Sequence, residues 1–416
     1  MSSQTPGAER RVYFDYSAAS PVDPRAFDAM KPYFIEKFGN PSSLHTMGRE
    51  PRAAVADARQ RVAGLVNAKR KEEIIFTSGG TEASNIGIKG VAMRMKNKGS
   101  HIVTSAIEHI SILNIMKALQ KSGFEVTFVK PTKDGFVDLA ELESAIRPDT
   151  VLVSIMFANN EIGTLQPIPE IGKLLEEKDI HFHVDAVAAA GKVPIDVQAL
   201  KIDLLTVSSN DIYGPKGVGA LYIKDGSMVE AVSQGGGQER GLRSGSENVP
   251  GIVGFGTAAE IAKNEMASEG ERLKTLRDRL IKGMLEKVED SWLNGHPDKR
   301  LPNNANFRFR YVEGESMLLT LDMMGISVAS SSPCTSKNLL PSHVLLACEI
   351  PTEEAQSAVQ FTLGRLNTQE DVDYVLDIMP GVLERLRSMS PFSQKNLEEM
   401  RSTAGHREEE HHHLEE

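Results

Sequence analysis

Residues able to bind a ligand follow several strand-like runs in the first half of the chain. EIIFTS leads to Gly80 and Thr81 in SGGTEASN, HIVTSA to His109, TVLVSIMFA to Asn160, and HFHVDAV contains Asp185. A helix that begins at a glycine-rich turn offers free N–H donors and partial positive charge to a phosphate. Taken singly, such a histidine or aspartate is more often structural. Together they predict a pocket for a phosphorylated aromatic ring, with Asp185 on its ring N–H, His109 on its face and Asn160 on a substituent.

Strand-like and helix-like segments, which must position these residues, alternate along the chain. Seven apolar runs show little polar alternation, which predicts strands buried on both faces of a mostly parallel sheet. Amphipathic stretches between them predict covering helices, and hence an α/β fold with a three-layer αβα domain. Ligands bind beyond the carboxyl ends of such strands, where the polar residues lie. The runs are EIIFTS, HIVTSA, EVTFVK, TVLVSIMFA, HFHVDAV, LLTVSS and VGALYIK.

The pattern changes after VGALYIK. A charged helical segment from about Gly254 to Val288 is followed by a mixture of strands and helices, which predicts a smaller α+β domain. We expect a large domain at 24–265 and a small domain at 10–23 and 266–392 that carries a loop with Cys334. Residues 1–9 and 393–416 are expected to be flexible tails.

The composition of the chain excludes some classes of protein. The chain has 416 residues, a net charge of −10 and two cysteines. Nucleic-acid binding needs a basic surface, so no such partner is expected. No signal-peptide pattern and no 18-residue apolar stretch occurs, so we expect a cytoplasmic protein without a membrane segment. Cys348 lies on an apolar helical pattern and should be buried, whereas Cys334, among small polar residues, suggests a function.

Long motifs between about Tyr13 and Pro391 resemble the cysteine desulfurases of the NifS/IscS type, in the class V aminotransferase group of pyridoxal-phosphate (PLP) proteins. The resemblance implies the type I fold of PLP-dependent transferases, a homodimer with PLP near the interface, L-cysteine as substrate, and an iron–sulfur scaffold partner of the IscU type. The motifs include FGNPSSLH, FTSGGTEASN, NNEIGTLQPI, YGPKGVGALYI, GGGQERGLRSGSENVPGIVGFG and SPCTS.

The resemblance also implies roles for single residues. Residues at the ends of two strands, and one residue of the partner subunit, would bind the phosphate of PLP. Three other residues would contact its ring, and a loop cysteine would accept sulfur as a persulfide. These positions are Gly80, Thr81 and Ser208 for the phosphate; Ser246, where the usual residue is threonine, for the partner's phosphate; Asn160, Asp185 and His109 for the ring; and Cys334, with His109, for catalysis.

The sequence departs from the family where the chemistry takes place. The family has Ser-x-His-Lys before the Tyr-Gly-Pro-Lys-Gly turn, and this chain has Asn210 and Asp211 as the last two of the four. The missing lysine forms the Schiff base with PLP and moves the substrate's α-proton. Aspartate can form no imine, and its charge repels a phosphate unless it is neutralised or points away. Ala188 replaces a glutamine that bonds the ring oxygen, and Gln360 replaces the arginine that holds the substrate carboxylate.

We therefore expect PLP to be bound without a covalent link, with Asn210 among the residues around it. Cysteine desulfuration should be weak or lost. Lys216, five residues after Asp211, is not expected to take over, and Arg365 would reach a carboxylate only with a shifted strand register.

Three functions stay open. In the first, the protein serves iron–sulfur cluster assembly, with Cys334 as persulfide carrier or as a ligand of a [2Fe–2S] cluster shared with the scaffold; Asp211 is then either a second metal ligand or a strand-end cap. In the second it is an active cysteine desulfurase that passes sulfur to Cys334. In the third it is a non-catalytic binding subunit.

Overall fold

The structure is a computed structural model that describes residues 10–330 and 341–390. Its strands, in chain order, are β1 Val12–Tyr13, β2 Ile74–Thr77, β3 His101–Ser105, β4 Glu125–Val129, β5 Thr150–Met156, β6 His181–Asp185, β7 Leu204–Ser208, β8 Gly219–Ile223, β9 Ser291–Leu293, β10 Asn304–Phe309, β11 Ile326–Ser327, β12 Ala329–Ser330 and β13 Val359–Thr362.

The helices vary from short turns to one of 39 residues, α9. In chain order they are α1 Pro24–Met30, α2 Pro32–Ile35, α3 Thr46–Leu65, α4 Gly80–Ser84, α5 Gly90–Met95, α6 Ile110–Lys121, α7 Leu139–Ala145, α8 Ile168–Glu177, α9 Val249–Lys287, α10 Gly314–Met323, α11 His343–Ala347, α12 Thr352–Gln356 and α13 Gln369–Met389.

A seven-stranded sheet in the order β2-β8-β7-β6-β5-β3-β4 forms the centre of the large domain. Strands β3 to β7 run parallel to their neighbours among themselves, and β8 is antiparallel to both β2 and β7. Every residue of β5 is buried, as expected for a strand covered by helices on both faces. The predicted α/β fold with a mostly parallel seven-stranded sheet is confirmed.

The smaller domain is built on an antiparallel sheet of order β12-β13-β10-β9. A separate parallel pair joins β1 to β11, so the start of the chain packs with its last third. Phe14, Phe307, Phe309 and Phe361 are fully buried in its core. The predicted smaller α+β domain is therefore present.

Helix α9 passes through both hydrophobic cores. Its first half places Ala258 and Ala262 in the core of the large domain, and Leu273 and Leu280 belong to the core of the small one. The expected boundary at residue 265 thus falls inside one continuous helix, and the division into domains remains a prediction.

In the described parts of the chain, no helix is both long and apolar enough to cross a membrane.

Candidate cofactor pocket at the carboxyl edge of the sheet

A cavity of about 240 Å³ lies at the carboxyl ends of the central strands. Successive strand ends supply its walls, because parallel strands bring their carboxyl ends to one edge of a sheet. The predicted site residues that line it are Gly80 and Thr81 after β2, His109 after β3, Asn160 after β5, Asp185 in β6, Ser208 in β7, and Asp211.

One side of this cavity is formed by the start of a long helix. Helix α4 begins at Gly80 and continues through a π-helical turn into α5. The first N–H groups of a helix have no partner within it, so they can donate to an anion. A Cβ at Gly80 would come within 2.8 Å of Val187 Cγ2, which explains a glycine at this close approach.

An imidazole and a carboxylate also line the cavity. His109 is the N-cap of α6, and its Nδ1 accepts a hydrogen bond from Ser111 N at 3.2 Å. Asp185 is only 8% exposed, and its Oδ1 accepts from Val187 N at 3.0 Å. Burial raises the pKa of Asp185, and the charge on Asp211 acts in the same direction. This carboxylate is placed to pair with a cationic N–H of a ligand, which would favour its ionised form.

Asp211 is part of the cavity wall. It lies in the 3-10 turn Asn210–Ile212 just after β7, beside Ser208. Burial raises the pKa of Asp211, while the positive charge of Lys192 and a hydrogen bond with Ser208 lower it. A carboxylate therefore occupies the place where the resemblance expects an amine.

The two other altered positions differ in their surroundings. Ala188 lines the cavity with its small side chain. Gln360 is buried on β13, and its Nε2 donates to Asn160 O at 2.5 Å. The amide of Gln360 is thus already engaged with the backbone.

Arg365 cannot replace the missing arginine in this arrangement. Its guanidinium forms ion pairs with Asp23 and Glu265 and lies 4.5 Å from the centre of the Tyr213 ring. These contacts join the small domain to the large one. They hold Arg365 outside the cavity formed at the strand ends.

Other predicted residues lie outside the cavity. Asn210 Oδ1 accepts from Ser20 N at 3.3 Å, and Lys216 Nζ donates to Ser20 O at 3.1 Å. Ser246 is exposed, as its assignment to the partner's phosphate requires, but its contact remains a prediction. Cys334 lies outside the described residues.

Lys192 is a cavity residue that was not among the predicted site residues. This lysine lines the cavity, and its Nζ donates to Ala188 O at 3.0 Å. Burial lowers the pKa of Lys192, and the charge on Asp211 raises it. The available signal was its position in AVAAAGKVPID, four residues after Ala188 and soon after the end of β6.

No cluster of three or more metal-ligand side chains occurs within residues 10–330 and 341–390. Cys348 is buried, as predicted, and burial raises its thiol pKa to about 12. It belongs to a small hydrophobic core that includes Val344 and Leu345.

Known proteins resemble this chain over most of its length. Residues 12–375 match the family described as aminotransferase class-V. Cysteine desulfurase IscS 1 from Archaeoglobus fulgidus is 54% identical over 383 residues, which is 92% of this chain and 100% of that protein.

The chain belongs to the aminotransferase class-V family, among its IscS- and NifS-like members.

Solved structures agree with this membership of the class-V family. A NifS-like protein superimposes with a TM-score of 0.85 at 38% identity, over 91% of this chain and 100% of that one. A structure described as SspA in complex with cysteine has a TM-score of 0.76 at 35% identity, over 85% and 99%. The predicted type I fold of PLP-dependent transferases is thereby confirmed.

Proposed function

We propose that this class-V protein is an IscS-like component of iron–sulfur cluster assembly that holds PLP without a covalent link and has little or no cysteine desulfurase activity. One observation carries the proposal: Asp211 lines the cavity at the position where the resemblance expects the lysine. In this proposal Cys334 carries sulfur as a persulfide or ligates a [2Fe–2S] cluster shared with a scaffold of the IscU type.

The residues of the cavity fit PLP. The N-terminus at Gly80 and Thr81, with Ser208, would hold the phosphate, and Asp185 would hold a proton on the ring nitrogen. His109 borders the same space and would cover the ring face. When bound, PLP supplies an electron sink for charge that develops at the substrate's α-carbon.

The groups that would move protons and orient an amino acid are altered. Asp211 has no amine, and general acid–base catalysis by such a group typically contributes about 10²–10⁴-fold to the rate. Gln360 cannot form the bidentate pair of an arginine with a carboxylate, which is a charge-assisted contact of about 1.5–3 kcal/mol. Both changes argue for slow turnover.

An active cysteine desulfurase is the second candidate. The relative from Archaeoglobus fulgidus is named a cysteine desulfurase, and Lys192 does bring an amine to the cavity wall. In this alternative L-cysteine yields alanine and its sulfur passes to Cys334. The binding-subunit hypothesis would follow only if Cys334 proved irrelevant to both sulfur transfer and cluster formation.

The proposal also covers the oligomeric state and the location of the protein in the cell. We propose a homodimer, in which the exposed Ser246 serves the pocket of the partner subunit, and a cytoplasmic location. For Asp211, we propose a role either as a second iron ligand or as a charged residue of the pocket.

The role of Cys334 is tested by cluster assembly. The protein and a scaffold protein are incubated anaerobically with iron and sulfide, and Cys334→Ser should abolish formation of the cluster.

The decisive experiment restores the lysine. The purified protein is mixed with L-cysteine and PLP, and alanine and sulfide are measured. We expect little product from the unchanged chain, a gain of at least about 10²-fold in Asp211→Lys, and a further gain when Ala188→Gln and Gln360→Arg are added. Lys216→Met, outside the cavity, is the matched control and should change nothing. Brisk alanine production by the unchanged protein would reject the proposal in favour of the second candidate.

A further inference from the structure

Lys192 and Asp211 together border two spaces. Both line the cavity at the strand ends, and both line a smaller cavity of about 30 Å³ behind it. The rear cavity also contacts Tyr213, Arg365 and residues of α9. The two side chains thus belong to the wall that separates the candidate cofactor pocket from the junction of the two domains.

The other acids at the rear cavity already have cationic partners. Glu265 pairs with Arg25 at 2.6 Å and Arg365 at 3.1 Å, and Glu269 pairs with Arg272 at 2.8 Å. Asp211 has a hydrogen bond with the Ser208 side chain and one with its own backbone. The positive charges that act on Asp211 are those of Lys192, which lines both cavities with it, and of His109, which lines the cavity at the strand ends.

The position of Lys192 is fixed by the local backbone. Its Nζ donates to Ala188 O at 3.0 Å, four residues earlier, so the amine is held at the base of the cavity. The small Ala188 side chain lines the same space. A longer side chain at 188 would fill part of the same cavity, so the Ala188 and Asp211 departures both change the space that Lys192 lines.

We propose that Lys192 is a positioning residue whose ammonium neutralises Asp211 and so allows a phosphate-bearing anion to occupy the cavity. This inference rests on the PLP-binding part of the proposed function. A buried carboxylate with no counter-charge is costly and repels an anionic ligand, whereas a nearby ammonium offsets part of that cost and weakens the repulsion. The proposal explains how a cofactor pocket tolerates an acid in place of its lysine.

The first test needs no cofactor and compares four full-length proteins: wild type, Lys192→Met, Asp211→Asn and the double variant. Removing one member of a charge pair leaves the other unpaired, whereas removing both is nearly neutral. We expect Lys192→Met to lower the thermal midpoint by at least about 3 °C, and Asp211→Asn in the same chain to recover most of that loss. Purely additive midpoints would overturn the pairing.

The second test measures the dissociation constant of PLP by absorbance titration. We expect Lys192→Met to raise it at least tenfold, the double variant to return to within about threefold of wild type, and Lys192→Arg to retain most of the affinity because it keeps the charge. Lys216→Met is the control for loss of a lysine outside the cavity. Equal weakening in Lys192→Met and the double variant would show that Lys192 acts without Asp211.

The two proposals fail in different ways. If wild type makes alanine rapidly, the proposed loss of activity is wrong while the pairing of Lys192 with Asp211 can still hold. If the midpoints and PLP affinities are additive, the pairing is wrong, and the proposed function is unaffected.

Discussion

The fold holds the side chain of Asp185 in a position where its carboxylate can bind a ligand. Its Oδ1 is fixed by the Val187 N–H, it is almost fully buried, and burial raises its pKa. A cationic ring N–H would make this buried carboxylate one half of a charge-assisted hydrogen bond.

Asp185→Asn should therefore weaken PLP binding. The amide keeps the size of the side chain but loses the charge, and charge-assisted hydrogen bonds contribute about 1.5–3 kcal/mol, or about 10–100-fold in the dissociation constant. Absorbance titration gives the dissociation constant. The thermal midpoint of the unliganded variant should stay the same or rise, because a buried charge is removed; unchanged PLP affinity would remove Asp185 from the cofactor site.

Strand-end residues were predictable because their position follows from the sheet. Once the strand-like runs are recognised, the carboxyl ends of the strands that run in the same direction must meet at one edge of the sheet, and Gly80, His109, Asn160 and Asp185 do line one cavity there. The directions of individual side chains were not predictable. Lys192 enters the cavity from a segment with no strong pattern.

Two further side chains show the same limit. Asn210 follows a strand as the others do, yet its amide oxygen accepts from Ser20 N. Gln360 donates to Asn160 O, although the two residues are 200 positions apart. Such contacts between distant parts of the chain depend on tertiary packing, which local sequence patterns do not encode.

The helices and strands that could be predicted are those with a clear hydrophobic periodicity or a long buried segment. The long helix was expected from about Gly254 to Val288 and is found as α9, Val249–Lys287. The pairing of β1 with β11 joins segments of two residues each, too short to show a period. The parallel sheet was recoverable because its strands, apart from β4, are buried over nearly their whole length and so show little polar alternation.

The contact between the Asn160–Glu161 loop and α11 predicts a pH dependence. Ser342, the N-cap of α11, donates from Oγ to Glu161 Oε2, and burial raises the pKa of Glu161 to about 7. Because the folded pKa lies above the ordinary value, the folded state holds this proton more tightly. The resulting stability is complete below about pH 4.5 and is lost as the pH rises through about 7.

Glu161→Gln should flatten this dependence. We expect the wild-type free energy of unfolding to fall by roughly 1–3 kcal/mol between pH 5 and pH 8 through this group, and the variant to lack that fall. Urea unfolding at the two pH values measures it. Glu170→Gln, at an exposed position of α8, is the matched control and should follow wild type. A variant with the wild-type slope would mean that Glu161 does not titrate in this range.

The surface of the molecule near its N-terminal helices carries several exposed apolar side chains. Large side chains are exposed within eleven residues of one another: Phe34 at 60%, Ile35 at 80%, Phe38 at 68% and Leu44 at 82%. Grouped exposed apolar side chains of this size are typical of protein interfaces. This surface supports the proposed homodimer.

Charges placed on that surface should separate the subunits. We expect Ile35→Glu combined with Phe38→Glu to give a monomer by light scattering, because an interface would have to bury two unpaired carboxylates. Leu366→Glu, at a residue that is 71% exposed on the small domain, is the control and should leave the dimer intact.

The monomer should also bind PLP more weakly if the partner subunit's Ser246 completes the phosphate site. Ser246→Ala in the intact dimer should then reproduce part of that loss, since one hydrogen bond to a charged group contributes about 1.5–3 kcal/mol. Dimer formation and cofactor binding are thus tested by the same pair of variants. A charged double variant that stays dimeric would assign the interface to another surface, and a monomer with full PLP affinity would show that each pocket is complete within one chain.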